Sequence, residues 1–150
     1  MTLGAVAPLN AAEVLRRLRR FLLLLAIMLF AGAVVELWLV GHTENWLQWI
    51  PFALSALGSS SAVIVLFNMN PATVRLLRLC MAVVVLGTLL GVYEHVSGNV
   101  RLEREVNPSA ATSRLLWRGV TGGNPLLAPG VLAIAAVLAV SATYGCRSDE

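Results

Sequence analysis

Four long apolar blocks, at residues 21–40, 50–67, 79–96 and 126–144, constrain this chain more than any other feature. Each is close to the roughly 20 residues that a helix needs to cross a hydrocarbon core of about 30 Å. Inside lipid a spanning segment must satisfy its own backbone N–H and C=O groups, so the blocks are expected to be helices and not strands. They are apolar around their whole circumference, as lipid-immersed helices are. A water-soluble core of 150 residues could not absorb a 58% hydrophobic content at only 13% charge, about half the charge of an ordinary soluble chain. The expected fold class is therefore all-α, an integral membrane four-helix bundle. A basic segment covers 1–20, a single transmembrane domain covers 21–145, and a short tail covers 146–150.

Arginine bias sets the expected orientation, and no lysine contributes to it. Arg16, Arg17, Arg19, Arg20, Arg75, Arg78 and Arg147 fall on one side of the four blocks; Arg101, Arg104, Arg114 and Arg118 fall on the other. The richer side is expected to be cytoplasmic, with both termini there. Trp38, Trp46, Trp49 and Trp117 all fall at the opposite interface, where aromatic rings favour the headgroup level. The run from Arg16 to Ala33 also has the layout of a secretory leader, but its apolar stretch continues to Val40, as an uncleaved anchor's does. Charges kept at membrane boundaries leave no basic face on which to bind nucleic acid.

The loops carry the remaining signals. The outer loop 97–125 is the only one with room for structure. Its "NVRLEREV" alternates, with Val100, Leu102 and Val106 opposite Arg101, Glu103 and Glu105, which predicts an extended piece. "SAATSRLLWRGV" predicts a short amphipathic helix, capped by Thr112 or Ser113 and ending at Gly122-Gly123, with Leu115, Leu116 and Trp117 toward the membrane surface. Together they would form a cap. Asn70-Pro71 reads as the cap and first turn of a short helix leading into the third span. Gly87 and Gly91 form a GxxxG pattern suited to close helix packing. Ser55, Ser59, Ser60 and Ser61 either return hydrogen bonds to their own helix or line a polar passage. Cys80 and Cys146 lie at the cytoplasmic ends of their spans, in a reducing compartment, where idle thiols are expected.

The topology gathers residues that are far apart in sequence. His42 and Glu44 follow the first span, Glu94 and His95 close the third, Glu103 and Glu105 lie just beyond, and Glu36 sits a turn inside the first span. An acid within a span faces the bundle and has a partner or a task. Glu36 is either protonated, paired to Arg101 or Arg104, or directed with Glu44 toward one face if the helix continues through Gly41. Three readings cover the cluster: solvated charges and local ion pairs; a metal site from His42, His95, Glu36, Glu44, Glu94 and Glu103, suited to a divalent transition metal; or a haem b between His42 and His95. No tight ligand signature, phosphate loop or nucleophile elbow is present.

Three segments, "ELWLVGHTENWLQWIPF", "GVYEHVSGNVRLEREVNPS" and "LLAPGVLAIAAVLAVSATY", together resemble a group of small bacterial four-span membrane proteins described as hypothetical. The matching positions are Glu36, His42, Glu44, Gln48, Pro51, His95, Asn99, Glu103 and Glu105. The resemblance implies four spans in a bacterial cytoplasmic membrane with an outer polar cluster, and implies no activity. The expected function is a non-catalytic accessory or interaction subunit, in contact with lipid and with other membrane subunits or its own copies. The alternatives are a metal- or haem-binding protein and a proton-coupled transporter using Glu36.

Overall fold

The computed structural model describes residues 10–123 and 127–146, and the side chains of all of these except 127 and 128. The first nine residues, Leu126 at the expected start of the fourth span, and Arg147 in the tail lie outside the described residues. Among the described residues five α-helices follow one another: α1 Ala11–Leu39, α2 Ile50–Phe67, α3 Pro71–Val106, α4 Thr112–Thr121 and α5 Leu127–Ala142. A 3-10 turn, Trp46–Trp49, precedes α2.

Helix α1 begins well before the apolar block. The Asn10 side chain accepts from the N–H of Ala12 at 2.7 Å, and Glu13 in the first turn pairs with Arg16 and with Arg17, the latter at 2.8 Å. A capped start and an acid one turn ahead of arginines favour helix, so residues 11–20 are continuous in one helix with the apolar block that follows. The Arg17 and Arg16 hydrogen bonds hold the Glu13 carboxyl below its usual range.

The other end of α1 is a Schellman motif. Gly41 adopts φ +68°, the His42 N–H donates to the Leu37 carbonyl at 2.9 Å, and the Gly41 N–H donates to that of Trp38 at 3.1 Å. Glycine fits the left-handed position without a Cβ penalty. The helix therefore stops before Gly41, and the shared helical face expected for Glu36 and Glu44 does not form.

Helices α1, α2, α3 and α5 close a ring: α1 packs on α2, α2 on α3, α3 on α5 and α5 on α1. Buried residues on α1 and α3 recur at intervals of three and four: Leu23, Ala26, Phe30 and Ala33 on α1; Val74, Leu77, Met81, Val84 and Thr88 on α3. That spacing keeps one stripe on a neighbouring helix, as in coiled-coil packing. Small residues allow close approach. A Cβ on Gly58 would strike the Phe30 ring, and one on Gly87 would strike Leu54. One on Gly91 would lie 3.3 Å from the Pro129 Cβ. The GxxxG pair thus serves two different neighbours, α2 and α5, within the chain.

Large apolar side chains such as Phe21, Met28, Leu86 and Val137 point out of the bundle. Helices α1 and α3, and α2 taken with its 3-10 turn, are long and apolar enough to cross a membrane. The outward apolar surface is a lipid-contact surface. Helix α5 has 16 residues, about 24 Å of rise.

The end formed by the start of α1, the start of α3 and the end of α5 is tied shut. Arg78 donates to the Thr143 carbonyl at 2.9 Å, the Cys146 carbonyl at 3.2 Å and the Thr143 hydroxyl at 3.3 Å. Arg19 donates to the Tyr144 carbonyl at 2.8 Å. Two helices thus supply cations to carbonyls of the turn that follows a third, α5.

Two expectations for the chain on either side of the third span need correction. Residues 97–106 are not extended, and no separate short helix leads into the third span. Helix α3 runs unbroken for 36 residues, started by a reciprocal Asn70–Thr73 cap. Its extension stays helical because one face packs on α4 at helical spacing. A Cβ on Gly119 would meet Val100 at 3.0 Å and Val96 at 3.3 Å, and Asn99 donates to the Gly119 carbonyl at 3.0 Å. Glu103 takes hydrogen bonds from Arg114 at 2.7 Å, Arg118 at 3.2 Å and Asn107 at 2.8 Å. The order of these contacts makes α3 and α4 an antiparallel hairpin. Helix α4 lies where the amphipathic helix was expected, but its N-cap is Ala111, with no side-chain cap bond.

Candidate functional site

At the end of the bundle away from Arg19 and Arg78 the four ring helices part around a cleft of about 480 Å3. Each wall follows from a local rule. The Schellman turn at Gly41 swings His42 back over the end of α1, one turn beyond Glu36. The next turn is held by a reciprocal cap: the Asn45 side chain accepts from the Gln48 N–H at 3.2 Å, and the Gln48 side-chain Oε1 accepts from the Asn45 N–H at 3.4 Å and from the Glu44 N–H at 2.6 Å. That cap sets Asn45 and Gln48 in the lining. Helix α3 contributes Thr88, Gly91, Glu94 and His95 on successive turns of one face. Apolar surface from Leu37, Ile50, Leu54 and Leu132 completes the walls.

Of the residues singled out from the sequence, Glu36, His42, Glu94 and His95 line this cleft together. The Nδ1 atom of His95 is buried and has no hydrogen-bond partner. No ion pair to Glu36 or Glu94 occurs among the described residues, so the expected pairing of Glu36 with Arg101 or Arg104 is absent there.

The other two candidate ligands fall elsewhere. Glu44 is exposed and outside the lining, because the chain turns at Gly41 before reaching it. Glu103 is buried in the separate α3–α4 groove, about 280 Å3, between Arg114 and Arg118. It lies beyond the apolar part of α3. The Arg114 hydrogen bond, with those of Arg118 and Asn107, holds its carboxyl below the usual range although burial opposes this. The six-residue metal set is therefore divided among three places. Among the described residues, no three or more His, Cys, Asp and Glu side chains are placed to share an ion.

The serines do not form one passage. Ser55 and Ser61 face inward, Ser60 faces outward, and the Ser61 hydroxyl donates to the Gly58 carbonyl at 3.0 Å. Thr88, in the cleft, likewise donates to the Val84 carbonyl at 2.9 Å. Neither Thr88 nor Asn45 was singled out from the sequence. An asparagine three residues before a glutamine was the legible sign of the cap that places Asn45.

These features define a class, a small helical-bundle membrane protein with a polar-lined cleft at one end. No protein-family model matches the chain, and neither a curated protein nor a solved structure matches it.

Proposed function

We propose that this chain is a non-catalytic, four-span accessory protein of a bacterial cytoplasmic membrane. In this reading its arginine end faces the cytoplasm and its opposite end holds a small molecule in the cleft. The single observation that carries the binding reading is the cleft itself, with apolar walls and a few convergent polar groups, the usual make-up of a small-molecule site. The arginine bias and the tryptophans at the opposite end support the orientation.

Two features favour holding over passage or reaction. Leu54 packs against Gly87 in the cleft's lining, Phe30 against Gly58 fills the bundle beside it, and Arg78 and Arg19 tie the far end. The cleft's one alcohol, Thr88, is committed to a backbone carbonyl and pairs with no base. The test is native mass spectrometry on protein purified in mild detergent. A stoichiometric small-molecule adduct, or saturable uptake of one, is expected, with loss in Leu37→Trp, which places an indole in the cleft. Protein that is always empty and takes up nothing rejects the reading.

A further inference from the structure

We infer that the cleft takes a lipophilic organic cation, an apolar body carrying an ammonium or phosphonium centre. This rests on the cleft being a binding site. Its charge pattern is one-sided. Two carboxyl groups, Glu36 from α1 and Glu94 from α3, enter the lining, and no arginine does. The arginines nearest in sequence to Glu94 on α3 and α4 are not in the lining; Arg114 and Arg118 are taken up by Glu103 in the neighbouring groove.

The other polar groups, the His42 and His95 imidazoles and the Asn45 and Gln48 amides, add no fixed charge of the opposite sign. A cation seated here meets the carboxyl groups of two helices, both exposed, and beside the cleft's apolar walls their attraction exceeds its value in bulk water. An anion meets the same two groups with the opposite sign. Leu37, Ile50, Leu54 and Leu132 supply the apolar contact that a small hydrated metal ion would leave unused.

The test uses the full chain in nanodiscs of zwitterionic lipid. It is titrated with tetraphenylphosphonium and with tetraphenylborate, ions alike in size and shape and opposite in charge. Free concentrations are read by ion-selective electrodes, and protein-free nanodiscs supply the partitioning background. Saturable binding of the cation at least about tenfold tighter than that of the anion is expected. Glu36→Gln combined with Glu94→Gln should weaken the cation by at least about tenfold and should not weaken the anion, whose repulsion by the two carboxylates is relieved. Glu36→Asp with Glu94→Asp, which keeps the charges, should retain the preference, and unchanged melting temperatures certify the fold. Equal binding of both ions, or indifference to the Gln pair, overturns the cation assignment; if Leu37→Trp still abolishes that binding, the cleft reading survives alone. Saturable binding of neither ion overturns the cation inference as well, and the adduct measurement then decides the cleft separately.

Discussion

The two ends of the bundle are built from the same helices and use their polar groups in opposite ways. At one end Arg78 and Arg19 satisfy carbonyls of Thr143, Tyr144 and Cys146, so charge is consumed in joining α1, α3 and α5. At the other end Glu36, Glu94, His42 and His95 surround a cleft, and the two carboxyl groups form no ion pair among the described residues. Polar groups near a membrane are costly to strand. A group that is tied up locally is explained by stability, and a set that converges on empty space is explained by what enters that space. The contrast teaches that arginine count alone does not mark function here, because the charge-rich end is the structural one.

The largest expected effect is all-or-none and concerns which side each end faces. A cysteine at Ser109, in the exposed turn between α3 and α4, should react with a membrane-impermeant maleimide in intact cells. Cys146 should react only after permeabilisation. The reverse pattern would exchange the two ends.

Next, Arg78→Ala should destabilise the purified protein by about 2–3 kcal/mol, because it removes charge-assisted bonds to terminal carbonyls. Thermal unfolding in detergent measures this; a change near zero would mean that the arginine end is not held by these contacts.

The α3–α4 hairpin gives a pH test of a locally tied carboxyl. The folded-state pKa of Glu103 is depressed, so its contribution is present above the ordinary carboxylate range, about 4.3. It is lost as pH falls through the lower folded value. Protection of the α4 amides from hydrogen exchange, taken relative to the intrinsic rate at each pH, should be high at neutral pH and fall in acid. Glu103→Gln should raise that exchange roughly tenfold at neutral pH and abolish the acid dependence. An unaltered acid profile in the variant would place the sensitivity elsewhere.

A smaller effect is expected at the turn that positions His42. Gly41→Ala should cost about 1 kcal/mol, since the left-handed conformation at φ +68° penalises a Cβ. It should also perturb ligand uptake by the cleft, measured on the same sample. Smallest of all, Glu36→Gln with Glu94→Gln should change stability by no more than about 0.5 kcal/mol, as surface substitutions without partners do. A larger loss would show these carboxyl groups to be structural, and the two ends would then be alike.

How much was legible follows from the range of each interaction. The Asn70–Thr73 cap and the start of α2 at Ile50 depend on neighbours within a turn, and the sequence shows them plainly. The extension of α3 was hidden. Val100, Leu102 and Val106 imitate strand alternation, while Val96, Asn99, Val100 and Glu103, the positions that meet α4, are spaced for a helix. Leu102 and Val106 are exposed, so two of the three residues that suggested a strand keep most of their surface outside the α3–α4 contact, and only Val100 belongs to both patterns. The gathering of Glu36, His42, Glu94 and His95 was legible because topology alone brings the ends of the first and third spans to one depth. The departure of Glu44 and Glu103 was not, because each turns on one local choice: a left-handed glycine, and a pair of arginines.

By itself the sequence determined that this chain is helical and apolar on the outside, since a long uncharged run has no other way to satisfy its backbone in lipid. It also determined, through arginine placement, that the two ends differ. Only the tertiary structure decided which end is spent on holding helices together and which is left open. That depends on which side chains come within hydrogen-bonding distance across helices, and residues as far apart in sequence as Arg19 and Tyr144 meet only once the ring has closed.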